Sequence, residues 1–107
     1  MKECYDIVYS AEALNDLENI YCYIAFDLMS PDTAENQVNR IRKSIRCLDL
    51  FPDGFVQVDW EPWKSMGMRK LPIDNYIAYF LINNSNYEVF IIRILYGGMD
   101  TEGMMNP

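Results

Sequence analysis

The sequence contains no histidine in its 107 residues. That absence removes the usual general base at neutral pH, the Ser/His and Cys/His nucleophile pairs, and the commonest metal ligand. Any catalysis has to be carried by Arg, Lys, Tyr, Asp or Glu. Cysteine is sparse too: Cys4, Cys22 and Cys47 are odd in number and widely spaced, with no C-x-x-C. They read as reduced thiols, and neither a metal nor another cofactor is expected. No apolar run approaches the roughly 18 residues that would span a bilayer, and neither end carries a basic stretch followed by an apolar one. The expectation is a cytoplasmic chain with no membrane partner. Basic residues are few, nine against sixteen acids, and the net charge of −7 repels nucleic acid at long range and weakens non-specific phosphate binding.

What is present fits one domain over residues 1–107, since domains most often run to roughly 100–150 residues, and half of the residues are apolar. "CYDIVYS" alternates as a first strand and ends at Ser10, a good helix N-cap with Glu12 in the first turn. Leu14, Leu17, Ile20, Ile24 and Leu28 then recur at spacings of three and four, which predicts a helix burying that stripe. "SPDTAE" starts a second helix, with Ser30 as cap, Pro31 at the first position and Asp32 at the positive end of the dipole. Ala34, Val38, Ile41, Ile45 and Leu48 form its apolar stripe, and Arg40, Arg42, Lys43 and Arg46 fill the other faces. These are four of the nine basic residues.

"FPDGF" ends the helical region, and "VQVDWEPWKSMG" reads as a loop with room for a short strand. From Met68 the pattern is β: "MRKLPI", "NYIAYFLIN" and "YEVFIIRILYG", the last two joined by "NNSN", make an antiparallel meander. Pro72 cannot donate to a ladder, so its strand exposes that position or carries a bulge. The last two strands are apolar on both faces, so helices cover one side and a loop or a partner covers the other. The fold class is α/β in composition (α+β): an N-terminal strand, an antiparallel helical hairpin, then a three-stranded meander packed on the helices. The tail "TEGMMNP" has no period and reads as loose or docked on a partner.

In this order, "SAEALNDLENIYCYI", "FPDG", "MRKLPIDNYIAYFLI" and "RILYGGMD" resemble the RelE/ParE superfamily of toxins from bacterial toxin–antitoxin pairs, over nearly the whole chain. The resemblance implies a toxin of a type II module neutralised by a cognate antitoxin. RelE-like members cut messenger RNA on the ribosome, whereas ParE-like members inhibit DNA gyrase. The arginine that the ribonucleases place after the tyrosine of the middle meander strand is here Ile77, an apolar residue as in the ParE-like branch. The basic pair expected after the last strand's glycine is here Gly98 and Met99. ParE-like members close that strand on a histidine and a glycine, where this chain has Tyr96 and Gly97.

Several side chains carry more than one reading. Arg69 matches the family's arginine before the leucine of "MRKL" and faces a phosphate or target, or else is a solvated strand residue. Strict alternation puts Arg93 on one face with Val89, Ile91 and Leu95. A charge there needs a partner, so it is either a structural ion pair or part of a functional surface. Tyr96 could handle a proton, although a phenol of pKa about 10 is a poor base at neutral pH, or it packs. Arg40 and Arg46 on the second helix offer a basic face to an acidic partner segment or to nucleic acid, or are simply solvated. Trp60 and Trp63 are partner anchors or a cover for the open sheet face. The leading expectation is ParE-like inhibition of a large target such as gyrase, with Arg69, Arg93 and Tyr96 as the working residues. The others are a metal-independent ribosome-dependent ribonuclease using Lys64, Arg69, Lys70 or Arg93, and a decayed toxin that keeps only antitoxin binding. A homodimer or a toxin–antitoxin hetero-oligomer is open on these grounds.

Overall fold

The computed structural model describes residues 4–98. Its elements run β1 (Asp6–Tyr9), α1 (Ala11–Cys22), α2 (Pro31–Arg46), α3 (Trp63–Met66), β2 (Arg69–Ile73), β3 (Tyr76–Asn83) and β4 (Glu88–Tyr96). Ser10 starts α1 as its sequence position demands: its Oγ accepts the Ala13 N–H at 2.9 Å and donates to the Ile92 carbonyl at 2.7 Å. One hydroxyl thereby caps the helix and ties it to the last strand. At its other end α1 widens into a π-helical turn, Tyr23–Asp27, and Met29, at φ 55°, reverses the chain. Ser30 sits at the cap of α2 without a side-chain cap bond; its carbonyl accepts the Ala34 N–H at 2.9 Å instead.

The buried stripe of α1 is Ala13, Asp16, Leu17 and Ile20, continued by Ile24 and Ala25. Leu14 and Leu28, expected inside, lie half exposed. The inward face is centred one position from the one read off the leucines, and the wider π turn rotates Leu28 outward. On α2 the stripe of Ala34, Ile41 and Ile45, with Leu48 beyond the helix, is buried as its spacing requires, and Val38 is half buried.

The sheet has the order β1-β4-β3-β2, with β1 parallel to β4 and the other pairs antiparallel. The α1–α2 hairpin covers one face, where Leu71, Ile73, Ala78, Phe80, Val89, Ile91 and Ile94 join the helical stripes. The other face is covered by the segment between α2 and β2, which buries Val58, Trp63 and Met68 against Tyr79 and Leu95. A loop fills the role for which the sequence allowed a loop or a partner. It holds an isolated bridge, Gln57 to Arg69, and also the one-turn helix α3, too short to show a period. Gly67 ends α3 in the left-handed region at φ 80°.

Pro72 lies on the edge strand β2. The Lys70 N–H points outward to the Val56 carbonyl at 2.9 Å, so the nitrogen two residues on points the same way and no ladder bond is lost.

One departure from strict alternation matters for the site. Phe80 pairs with Ile91 and Tyr79 with Arg93, so Ile92 is an extra residue in β4. This bulge sends Ile94 to the helix face and Leu95 to the opposite face, correcting the single face expected for Val89, Ile91, Arg93 and Leu95.

Candidate functional site

β1 pairs with β4 only as far as Tyr9 opposite Ile91, whereas β4 runs on to Tyr96. Among the described residues, the edge of β4 beyond Ile91 has no strand beside it. α1 takes that place: the Asp16 carboxylate accepts the Ile94 backbone N–H at 2.9 Å, the Arg93 Nε at 2.8 Å and the Arg93 Nη2 at 2.9 Å. Asp16 is buried at 6 % exposure, and a buried carboxylate needs this many donors. The same contact holds the Arg93 guanidinium above its ordinary pKa, first through the hydrogen bonds it donates to Asp16. Arg93 is therefore engaged in an ion pair with Asp16.

Past this pair the mismatch in strand length leaves a groove of about 680 Å³, lined by Asp16, Asn19, Ile20 and Tyr23 of the first helix, by Arg93, Ile94, Leu95 and Tyr96 of β4, and by Tyr76 of β3. Tyr76 and Tyr96 are directly paired across the strands and meet edge to face with ring centroids 6.0 Å apart. Burial pushes the Tyr76 hydroxyl up from 10.0, helped by the neighbouring Tyr23 and Tyr96. Tyr96 is half exposed and also borders a smaller depression of about 280 Å³ with Asp74, Asn75, Gly97 and Gly98. A side chain at Gly98 would put its Cβ 2.6 Å from the Tyr96 ring. Any larger residue there would make the exposed Tyr96 ring shift. Met99, second member of the replaced basic pair, lies outside the described residues.

The other expected residues sit elsewhere. Arg69 opens β2 opposite Phe80, at the far end of its strand from Tyr76, and its Nη1 donates to the Phe55 carbonyl at 2.6 Å. It is part of the loop's attachment, outside the groove, and Lys70 follows it on the same strand while Lys64 lies exposed on α3. Arg40 pairs with Asp74 at 3.0 Å, and Gln37 donates to the same carboxylate at 3.0 Å, holding the Asp74 carboxyl below its ordinary value. Arg46 is exposed on α2. Trp63 is buried in the second core and Trp60 packs edge to face on Tyr79 at 5.9 Å. The tryptophans pack over the sheet; Trp63, at 9 % exposure, does not project as an anchor.

The arrangement brings together Arg93 and Tyr96 and leaves out Arg69. Sequence reasoning missed Asp16, Asn19, Tyr23 and Tyr76. Asp16 had a signal: it interrupts the buried stripe of α1, and a lone acid in one apolar stripe complements a lone arginine in another. Among the described residues no cluster of three side chains capable of holding a metal occurs, and no helix is long and apolar enough to cross a membrane.

A sheet of this order, with an N-terminal strand and a two-helix hairpin before the meander, is the RelE/ParE-like fold. Its likeness to the chromosomal ParDE toxin–antitoxin system of P. aeruginosa has a TM-score of 0.72 at 23 % identity, covering 86 % of this chain and 95 % of that one. The RelBE2 toxin–antitoxin complex of Mycobacterium tuberculosis is similar with a TM-score of 0.58 at 15 % identity, covering 87 % and 98 %. No curated protein matches the sequence. The family of the ParE toxin of the type II toxin–antitoxin system, parDE, matches residues 7–101. The chain belongs to that family and is a type II toxin.

Proposed function

We propose that this toxin acts by binding a large cellular target through the tyrosine-lined groove, in the manner of gyrase inhibition and without cutting RNA, and that a cognate antitoxin neutralises it. The observation that carries this reading is the engagement of Arg93. Among the described lining residues it is the sole cation, and the two oxygens of Asp16 hold its Nε and Nη2. In-line cleavage of RNA needs a base for the 2′-oxygen and cations for the crowded phosphate. Here the groove offers phenols, and the Tyr76 phenol is shifted further from neutrality. The exposed rings of Tyr23 and Tyr96 suit a protein surface, because tyrosine joins large contact area to one polar tip. The antitoxin part rests on family membership and on the two toxin–antitoxin complexes that share the fold.

Growth after induction of the chain tests the reading, beside Tyr96→Ala and Tyr23→Ala variants of unchanged melting temperature. Arrest by the parent, loss of arrest in the variants, inhibition of gyrase supercoiling and no new messenger RNA ends inside codons are the expected results. New ends inside codons would replace the proposal with the ribonuclease, and harmless expression of folded protein would leave a chain that only binds antitoxin.

A further inference from the structure

The chain turns back between α1 and α2 through the π-helical turn, Tyr23–Asp27, and four apolar side chains stand outside there. Tyr23 and Leu28 are half exposed, Phe26 is 70 % and Met29 83 % exposed, and none of them joins either buried cluster. Two backbone bonds fix the turn in this form: the Leu28 N–H donates to the Tyr23 carbonyl at 3.1 Å and the Ser30 N–H to the Ile24 carbonyl at 3.0 Å. Met29, between them, has φ 55°. That is the place after a helix where glycine is the usual residue, because a Cβ is unfavourable in the left-handed region. The methionine therefore strains the backbone while packing in no core, and strain of this kind points to a use outside the fold.

Charge around the tip is of one sign. From Cys4 to Asn39 the chain has seven Asp or Glu and no Lys or Arg, and the eight bases of residues 4–98 all lie from Arg40 onward. Asp27 and Asp32 flank the exposed apolar residues, with Glu35 about one turn further along α2, and all three are exposed. The tip also adjoins the groove, since Tyr23 lines the groove at its end of α1. An apolar knob in an acidic field fits a hollow that is apolar inside and basic at its rim. A second copy of the chain would bring the same acids to the contact, and an anionic bilayer further negative charge, so both are the weaker occupants.

From this surface we infer that the hairpin tip is a second anchor on the target, with Phe26 and Met29 entering an apolar hollow of a protein surface whose rim carries lysine or arginine. The inference rests on the reading that the adjoining groove binds a large target. Aromatic and methionine side chains suit such an anchor, being enriched at protein interfaces, while the acids around them act on the rate of encounter and on the choice of partner.

Binding to purified DNA gyrase tests it, with affinity, melting temperature and growth arrest measured on the same variants. Met29→Gly should hold or raise the melting temperature, because glycine relieves the left-handed position, yet bind gyrase about tenfold or more weaker. Phe26→Ser should weaken binding by about as much with its melting temperature unchanged, and both variants should arrest growth less than the parent. Asp27→Lys should weaken binding on the order of threefold, and the parent's affinity should fall as ionic strength rises. Leu50→Ser, at a residue also exposed but beyond the far end of the 16-residue α2, about 24 Å away, should change nothing. Full affinity in both Phe26→Ser and Met29→Gly, with binding lost in Tyr96→Ala, overturns the tip and leaves the groove reading intact. If the parent neither binds gyrase nor inhibits supercoiling, the groove reading fails and this one with it. Binding to phosphatidylglycerol vesicles, or self-association in sedimentation, that the two tip variants remove while gyrase binding is kept would assign the tip to a membrane or to a second copy and overturn the inference. A melting temperature lowered by Met29→Gly would return the methionine to the fold and overturn it too.

Discussion

Asp16 concentrates three donors on one carboxylate, and its removal strands the Arg93 guanidinium and the Ile94 amide together. Breaking a buried pair from one side costs about 3–5 kcal/mol. Asp16→Ala is expected to lose about 3 kcal/mol of unfolding free energy in urea. Arg93→Ala should lose less, about 1–3 kcal/mol, because the arginine side chain keeps 23 % of its exposure against 7 % for the acid and a partly solvated charge is worth less. Loss of toxicity in Arg93→Ala would therefore have to be separated from loss of fold by measuring both. Gly98 makes the complementary case: Gly98→Ala should change stability by less than about 0.5 kcal/mol, since the ring it meets can move, yet it displaces Tyr96. Growth arrest is expected to weaken while the urea midpoint holds. At this scale the sequence was half legible. The lone Arg93 announced that it needed a partner, but the identity of that partner depended on which face of α1 turned inward, and a one-position rotation of the stripe is invisible when leucines occupy both candidate faces.

The elements were more legible than their ends. Ser10, Pro31 and the alternating strands mark β1, both helices and the meander because caps and periods are local signals. The bulge at Ile92 escaped for the opposite reason: β4 is apolar on both faces, so inserting one residue breaks no visible pattern. α3 escaped because one turn contains no period, although its ending at Gly67 did have a sign in the glycine itself. With φ at 80° and nothing within 4 Å of a Cβ placed there, Gly67→Ala meets no steric neighbour and pays only the backbone penalty, about 1 kcal/mol. That loss should appear in the urea midpoint without a change in slope. A larger loss would mean that the loop covering the second core depends on more than its turn.

For the molecule as a whole, charge and hydroxyl burial set the useful pH range. Burial raises both Tyr9 and Tyr76 above 10.0 in the folded chain, with Arg42 and Arg46 partly offsetting it at Tyr9. The folded state therefore holds these protons more tightly than the unfolded one, so their contribution is complete below about pH 10 and is lost as pH rises through the folded values. Melting temperature is expected to fall above about pH 10, and Tyr76→Phe should flatten that fall. Asp74 works from the other side, its carboxyl lowered by Gln37 and then Arg40, so its contribution is present above 3.8 and lost as pH drops below it. The overall architecture was readable from the order of segments. The groove was not, because it exists only where β1 stops at Tyr9 while β4 continues to Tyr96, a difference between two lengths. Each residue added to β1 would extend its reach along β4 by about 3.3 Å. The groove can thus be lengthened or shut by insertions and deletions near Ser10, while the core beneath keeps its composition.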